Sequence, residues 1–256
     1  MSRLAKLSDG FDLNGGRLGV LVIHGFTGSP DGLLFLGQRL HAHGWTVRVP
    51  CLPGHGTSLD ELDRTSAEDW FAAVTGEFDR LAARCEQVAV VGQSLGGLLS
   101  LWLSTQRPAC AVASLAAPLW LDGLGAKMMR WVAPGGFLHG RLRRLPKLGG
   151  PDARDPIAKR ADGTYAAISV PGMVQLGRVM AAANACLPQL RAPLLVIHAE
   201  NDHTAPVACA HHLAEHGRAE QLVILPKSFH LIASDVERDL VASTCAQFLA
   251  RHFPAA

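Results

Sequence analysis

The residues with the clearest chemical potential lie in VAVVGQSLGGLLSLWLS, Val88 to Ser104, where one hydroxyl, Ser94, occupies the bend between an apolar run and a stretch of helical length. Gly92, Ser94 and Gly96 fit G-x-S-x-G, which marks a nucleophile when a strand precedes it and a helix follows. A sharp bend of that kind presents the hydroxyl at the C-terminal edge of a sheet. Glycines on either side let backbone pass close by. The helix N-terminus supplies free N–H groups and partial positive charge for a developing oxyanion.

A serine hydroxyl attacks poorly without a base, so an imidazole and a carboxylate should lie at other strand ends. ENDHTAP follows the apolar run Leu194–Ala199, and KSFHLIASD follows Gln221–Pro226. Asp202 and His230 therefore share the edge that carries Ser94, in the chain order Ser, Asp, His. Glu200 and Asp235 compete for the acid role, and His203 for the base. Asp202 is preferred because it sits a turn beyond its strand, whereas Glu200 is still partly in it. His203 adjoins the acid, and neighbouring side chains seldom face one another. In VIHGFTGSP, Val22 to Pro30, a strand runs into Gly25 and a loop; amides there can complete an oxyanion hole with the N–H of Leu95.

The elements that must hold these groups are six aliphatic runs: Gly19–His24, Trp45–Pro50, Gln87–Gln93, Ala111–Ala116, Leu194–Ala199 and Gln221–Pro226. Nearly continuous apolar strands belong to a sheet covered on both faces. Helical patterns alternate with them over about Asp31–His43, Ser66–Cys85, Gly96–Thr105, Pro206–His216 and Val236–Arg251. Ser66 and Asp69 form a capping signal. The fold class expected is α/β, a mostly parallel open sheet flanked by helices on both faces. The interval from Trp120 to Pro188 shows no convincing strand and is far longer than a crossover needs. It is expected to be a mainly helical cap, residues 120–188, inserted in a core of 1–119 and 189–256. Its large apolar residues include Trp120, Met128, Met129, Trp131, Phe137 and Met173. Phe26, Trp120, Met128 and Met173 are the candidate substrate contacts, because unbranched methionines suit a wall that accepts aliphatic chains.

The chain has 256 residues, 48% hydrophobic and 18% charged, with net charge +2, which gives no general attraction to nucleic acid or anionic membrane. Residues 121–180 nevertheless carry ten basic against four acidic groups. The six cysteines are scattered with no C-x-x-C pair and read as reduced thiols of a cytoplasmic protein. The N-terminal residues contain no apolar run like a secretion signal, and no segment approaches an integral membrane span. His212 and His216, with His211, and the pair His41 and His43 could suggest a metal. No carboxylate completes H-E-x-x-H, so they are expected as solvated helix positions, with no metal.

Taken together, VLVIHGFTGSP, VPCLPGHGTS, GQSLGGLLSL, APLLVIHAENDHTAP and SFHLIASD resemble the α/β-hydrolase superfamily, in particular small bacterial carboxylesterases and monoacylglycerol lipases. The pieces span nearly the whole chain in family order, only the cap being unmatched in detail. The resemblance implies Ser94 as nucleophile, Asp202 and His230 as its relay, and the amides of Phe26 and Leu95 as oxyanion donors. It places the Leu52–Gly56 loop beside the pocket. It implies hydrolysis of a small-molecule carboxylic ester with no cofactor. Acyltransferases, thioesterases and C–C hydrolases can use the same groups, and a noncatalytic binding protein is the reading from another class. Monomer and homodimer both remain open. Phe11–Arg17 has room for little more than one hairpin where larger relatives have two strands.

Overall fold

The computed structural model describes residues 9–138, 140–146, 150–161, 165 and 167–253. The first residues of the chain, read above for a secretion signal, lie outside them. Chain order begins with β1 (Phe11–Leu13), β2 (Leu18–Ile23), α1 (Leu34–His41), β3 (Thr46–Val49), α2 (Leu59–Leu62) and α3 (Ala67–Ala82). It continues with β4 (Gln87–Gln93), α4 (Leu95–Ser104), β5 (Val112–Leu115), α5 (Gly123–Val132), β6 (Arg144–Pro146) and α6 (Pro156–Ala161). The last elements are β7 (Ala167–Ser169), α7 (Val170–Cys186), β8 (Leu194–Ala199), α8 (Ala208–His216), β9 (Gln221–Leu225) and α9 (Arg238–His252). Seven strands form one sheet in the order β1-β3-β2-β4-β5-β8-β9. Only β1 runs antiparallel, against β3.

Side-chain alternation divides the apolar runs between two cores. Leu21, Ile23, Val88, Val90 and Val196 face one way, into a cluster with α3, α4, α7 and α8. Val20, Val22, Ala89, Val91 and Ile197 face the other, against α1 and α9. Parallel strands covered on both faces need this uninterrupted apolar sequence, and six runs of it were legible. α3 starts at a capping box: Asp69 N–H donates to Ser66 Oγ (3.1 Å), and Ser66 N–H donates to Asp69 Oδ2 (2.9 Å). Four residues on from the cap, Trp70 is fully buried, and its indole N–H donates to Pro53 O and Thr65 Oγ1.

In Phe11–Arg17 one edge strand, β1, pairs with β3, within the little room expected there; the difference from expectation lies in the interval after β5. The interval between β5 and β8 is not free of strand, because β6 and β7 pair antiparallel from Arg144↔Ser169 to Pro146↔Ala167. Each has three residues, too few to show a period of two, and a proline occupies one of them. Within the same interval, α7 packs along α4. Leu176, Val179, Met180, Ala183 and Cys186 enter the core cluster there, so α7 is the helical crossover that returns the chain to β8.

The local basic excess has structural partners. Arg143 and Arg144 bind Asp63, Arg144 also reaches Asp60 (2.5 Å), and Arg178 reaches Glu68 (2.6 Å). Cations of the interval thus face acids on α2, on the turn after it and on α3. Leu124, Trp131, Phe137 and Ile157, all in this interval, are exposed. Among the described residues no helix is long and apolar enough to cross a membrane. The six cysteines are unpaired.

Candidate active site

Ser94 joins β4 to α4 with φ +56° and ψ −116°, a left-handed backbone that costs a non-glycine residue on the order of 1–3 kcal/mol. Neighbouring contacts hold it there. Its N–H donates to Leu115 O (2.8 Å), and its carbonyl accepts from Leu98 N–H (3.1 Å). The two glycines are required by space: a Cβ on Gly92 would lie 2.0 Å from Gly96 O, and one on Gly96 would lie 2.1 Å from Ile23 O. Backbone therefore crosses backbone at the bend, as the glycine spacing suggested.

His230 and Asp202 converge on this serine. Ser94 Oγ–H donates to His230 Nε2 (2.9 Å), and His230 Nδ1–H donates to Asp202 Oδ2 (2.7 Å). The tautomer follows from the carboxylate beside Nδ1. All three side chains are nearly or fully withdrawn from solvent. The other oxygen of Asp202, Oδ1, accepts from Thr204 N–H (2.8 Å) and Ala205 N–H (2.7 Å). Burial alone would raise this carboxyl's pKa. The charge of His230 and the hydrogen bonds from His198 and His230 outweigh burial and hold it well below the usual carboxylate range.

The histidine loop is held from below by two further carboxylates. Asp235 is fully buried and accepts from Phe229 N–H (2.8 Å), immediately before His230. It also accepts from Arg154 and Asp155 N–H of the inserted interval. Glu237 Oε2 accepts from Lys227 N–H, Ser228 N–H and Ser228 Oγ–H. Gln93, one residue before the serine, receives Ala233 N–H on its Oε1 (2.9 Å). Sequence reasoning had Asp235 only as a rival acid and Gln93 only as the end of a strand. Their signal was faint: a polar side chain at a buried strand end, and a carboxylate closing a loop.

The rivals fall elsewhere. Glu200 is exposed, and His203 donates through Nδ1 to Asp152 Oδ1 (2.8 Å) while its ring packs on Phe229. A buried group missed altogether is His198 on β8, whose Nε2 lies 3.3 Å from Asp202 Oδ2.

The loop after β2 closes the site. A Cβ on Gly25 would stand 3.1 Å from Ser94 Cβ, so the backbone leading to Phe26 runs against the serine. Leu95 is the first residue of α4, where N–H groups lack helical acceptors. His24 ties this loop to the Leu52–Gly56 loop. Its Nδ1–H donates to Gly25 O (2.9 Å), and its Nε2 accepts from Leu52 N–H (3.0 Å). Burial lowers its pKa to about 4 despite the bond to Gly25. Burial, with the charge of His24, lowers His55 to about 3.

Phe26 is half-buried among His55, Trp70 and α7, where a Cβ on Gly172 would meet its ring at 2.9 Å. Met173, the next residue, is buried. Trp120 is half-buried with its ring edge-on to His212 of α8 (5.4 Å), and Met128 is half-buried on α5. His212 and His216 stack on each other at 3.9 Å. Among the described residues no group of three or more His, Cys, Asp or Glu side chains converges as metal ligands would.

The profile described as the alpha/beta hydrolase family matches residues 20–243. The chain is 30% identical over 245 residues to the thermostable monoacylglycerol lipase of Bacillus sp. (strain H-257), covering 94% of each protein. It is 28% identical to a carboxylesterase of Bacillus subtilis, covering 93% of this chain and 95% of that one. A solved structure from a study of the metagenome-derived lipolytic enzymes LipS and LipT superposes with a TM-score of 0.87 at 28% identity, covering 96% and 98% of the two chains.

Proposed function

This chain belongs to the alpha/beta hydrolase family, and on that premise we propose that it is a serine hydrolase that cleaves carboxylic esters through an acyl-enzyme. The observation that carries the reading is the buried chain of hydrogen bonds Ser94–His230–Asp202, at 2.9 and 2.7 Å, on a strained strand-to-helix bend. Ser94 Oγ attacks the ester carbonyl as His230 Nε2 takes its proton, and Asp202 stabilises the resulting imidazolium. The amides of Phe26 and Leu95 hold the tetrahedral oxyanion. Collapse expels the alcohol with the proton from His230. Water then repeats the sequence on the acyl-enzyme and frees the acid.

The preferred substrate is an aliphatic ester such as a monoacylglycerol, with residues 120–188 as a cap whose apolar side, with Phe26, Trp120, Met128 and Met173, receives the acyl chain. Support comes from the similarity to a monoacylglycerol lipase and a carboxylesterase and from the apolar contacts around Phe26. Unpaired cysteines fit a reducing, cytoplasmic setting. The test is hydrolysis of p-nitrophenyl esters from acetate to laurate and of a monoacylglycerol, by wild type and Ser94→Ala. Each buried methylene is worth about 0.8 kcal/mol, so kcat/KM should climb several-fold per added carbon, more than about tenfold per pair, until the pocket fills. Ser94→Ala should lose more than about a thousandfold. Residual activity above about a hundredth of wild type would overturn the assignment.

A further inference from the structure

Asp202 has a second imidazole. His198 stands four residues earlier, near the C-terminal end of the buried strand β8, with only 1% of its surface exposed. Its Nε2 is 3.0 Å from Ala205 O and 3.3 Å from Asp202 Oδ2. Both neighbours are acceptors, so Nε2 must carry a proton, which it shares between a carbonyl and the carboxylate. Ala205 is also the residue whose N–H binds the other oxygen of Asp202. One imidazole therefore closes the Asp202–Ala205 turn from inside the strand and fixes the plane of the acid.

We propose that His198 is a positioning residue that orients Asp202 and tempers its pull on His230. The inference rests on the ester-hydrolase reading above. A hydrogen bond to Oδ2 draws negative charge from the oxygen that faces His230 Nδ1. Without that bond the carboxylate holds the His230 proton more tightly, so deprotonation of the base requires a higher pH. The other groups near the pair are Ser94 from the bend, His203 on the acid loop, Asp152 and Arg154 from the insert, and Asp235 beneath the histidine loop. Asp152 is engaged with His203, and Asp235 with backbone N–H groups, which leaves His198, 3.3 Å away, as the side chain besides His230 seen against Oδ2.

His198→Leu removes the proton donor, and His198→Gln can return an N–H near the same point. In the Leu variant kcat should fall about tenfold with KM within twofold, and the acid limb of the pH–rate profile should move up by about half a pH unit. The Gln variant should restore kcat to within about twofold and return the limb to its wild-type position. A Leu variant with normal kcat and an unmoved limb overturns the proposal. So does a Gln variant that matches Leu, since that shows a packing role only. Should the Leu variant not fold, nitrogen-15 NMR of the histidines in the wild type decides, with His198 assigned by its loss in the Gln variant. At pH 8 His198 should be the Nε2–H tautomer, and an Nδ1–H tautomer overturns the inference. Ser94→Ala run alongside separates the two claims: ester turnover retained there defeats the hydrolase reading while the NMR result on His198 still stands.

Discussion

The edge of the sheet and the inserted interval between β5 and β8 are held by different kinds of contact. At the edge, Ser94, Asp202 and His230 sit on loops whose polar groups are closely matched. Asp202 receives two backbone N–H groups and two imidazoles, and Asp235 and Glu237 each gather several donors under the histidine loop. In the insert, the β6–β7 pair meets α2 and the turn after it through Arg143 and Arg144, α5 packs on α7, and Leu124, Phe137 and Ile157 face solvent. Arg144–Asp60 and Arg178–Glu68 are largely exposed pairs, of a kind that contributes typically under about 1 kcal/mol each, whereas Asp63 is buried. Substitutions at the edge should therefore be severe, and those at the exposed positions of the insert should spare stability.

The largest effect is expected where backbone crosses backbone. Gly96→Ala would push a Cβ to 2.1 Å from Ile23 O, beyond what side-chain motion can relieve. The variant should be insoluble or unfold more than 10 °C below wild type by differential scanning calorimetry. An Ala variant with normal Tm would show that the bend is looser than the contacts imply.

Next in size is the acid. On the proposed mechanism, Asp202→Asn keeps the shape but removes the charge that would stabilise a His230 imidazolium, and kcat should fall on the order of 10³–10⁴-fold in ester hydrolysis. A loss below tenfold would mean that the relay through Asp202 is idle.

A smaller and graded effect comes from the histidines behind the loop after β2. In the fold His24 and His55 are neutral, with pKa lowered to about 4 and about 3 from 6.5. Below pH 6.5 the unfolded chain binds the protons that the folded chain refuses. Stability should therefore fall as pH drops through 6.5 and level off only near those lower values. His55 Nε2 is buried without a hydrogen-bond partner, so His55→Phe keeps a ring there and removes one of the two protonation sites. Tm measured from pH 8 to 4 should decline less steeply in that variant; an identical slope would place the acid sensitivity elsewhere.

The smallest effect is expected in the insert. Phe137 is 65% exposed, and Phe137→Ser should change unfolding free energy by no more than about 0.5 kcal/mol in urea titration. A larger loss would show that the insert depends on this residue for its packing.

The same contrast explains what could be read from the chain. β2, β4 and β8 announce themselves because a strand covered on both faces needs a nearly continuous apolar run, and Leu18–Ile23 and, His198 apart, Leu194–Ala199 supply one. Once those strands are parallel, their loops must share an edge, which is why Ser94, Asp202 and His230 could be brought together in advance. The supports were not visible. Gln93 meets Ala233, and Asp235 meets Arg154, only after strands far apart in sequence are laid side by side. His198 was the one polar residue in LLVIHA, an anomaly in an apolar run, but its partner depends on how the loop after Ala199 turns back. β6 and β7 escaped notice because three residues carry no period, and their pairing depends on segments more than twenty residues apart.

The account turns on Ser94 as the nucleophile, and a fluorophosphonate probe followed by intact-mass and peptide analysis tests that most directly. Wild type should gain one phosphonyl group, mapped to Ser94, and Ser94→Ala should gain none while keeping its Tm. Equal labelling of the two proteins, or an adduct mapped to another residue, would contradict the account.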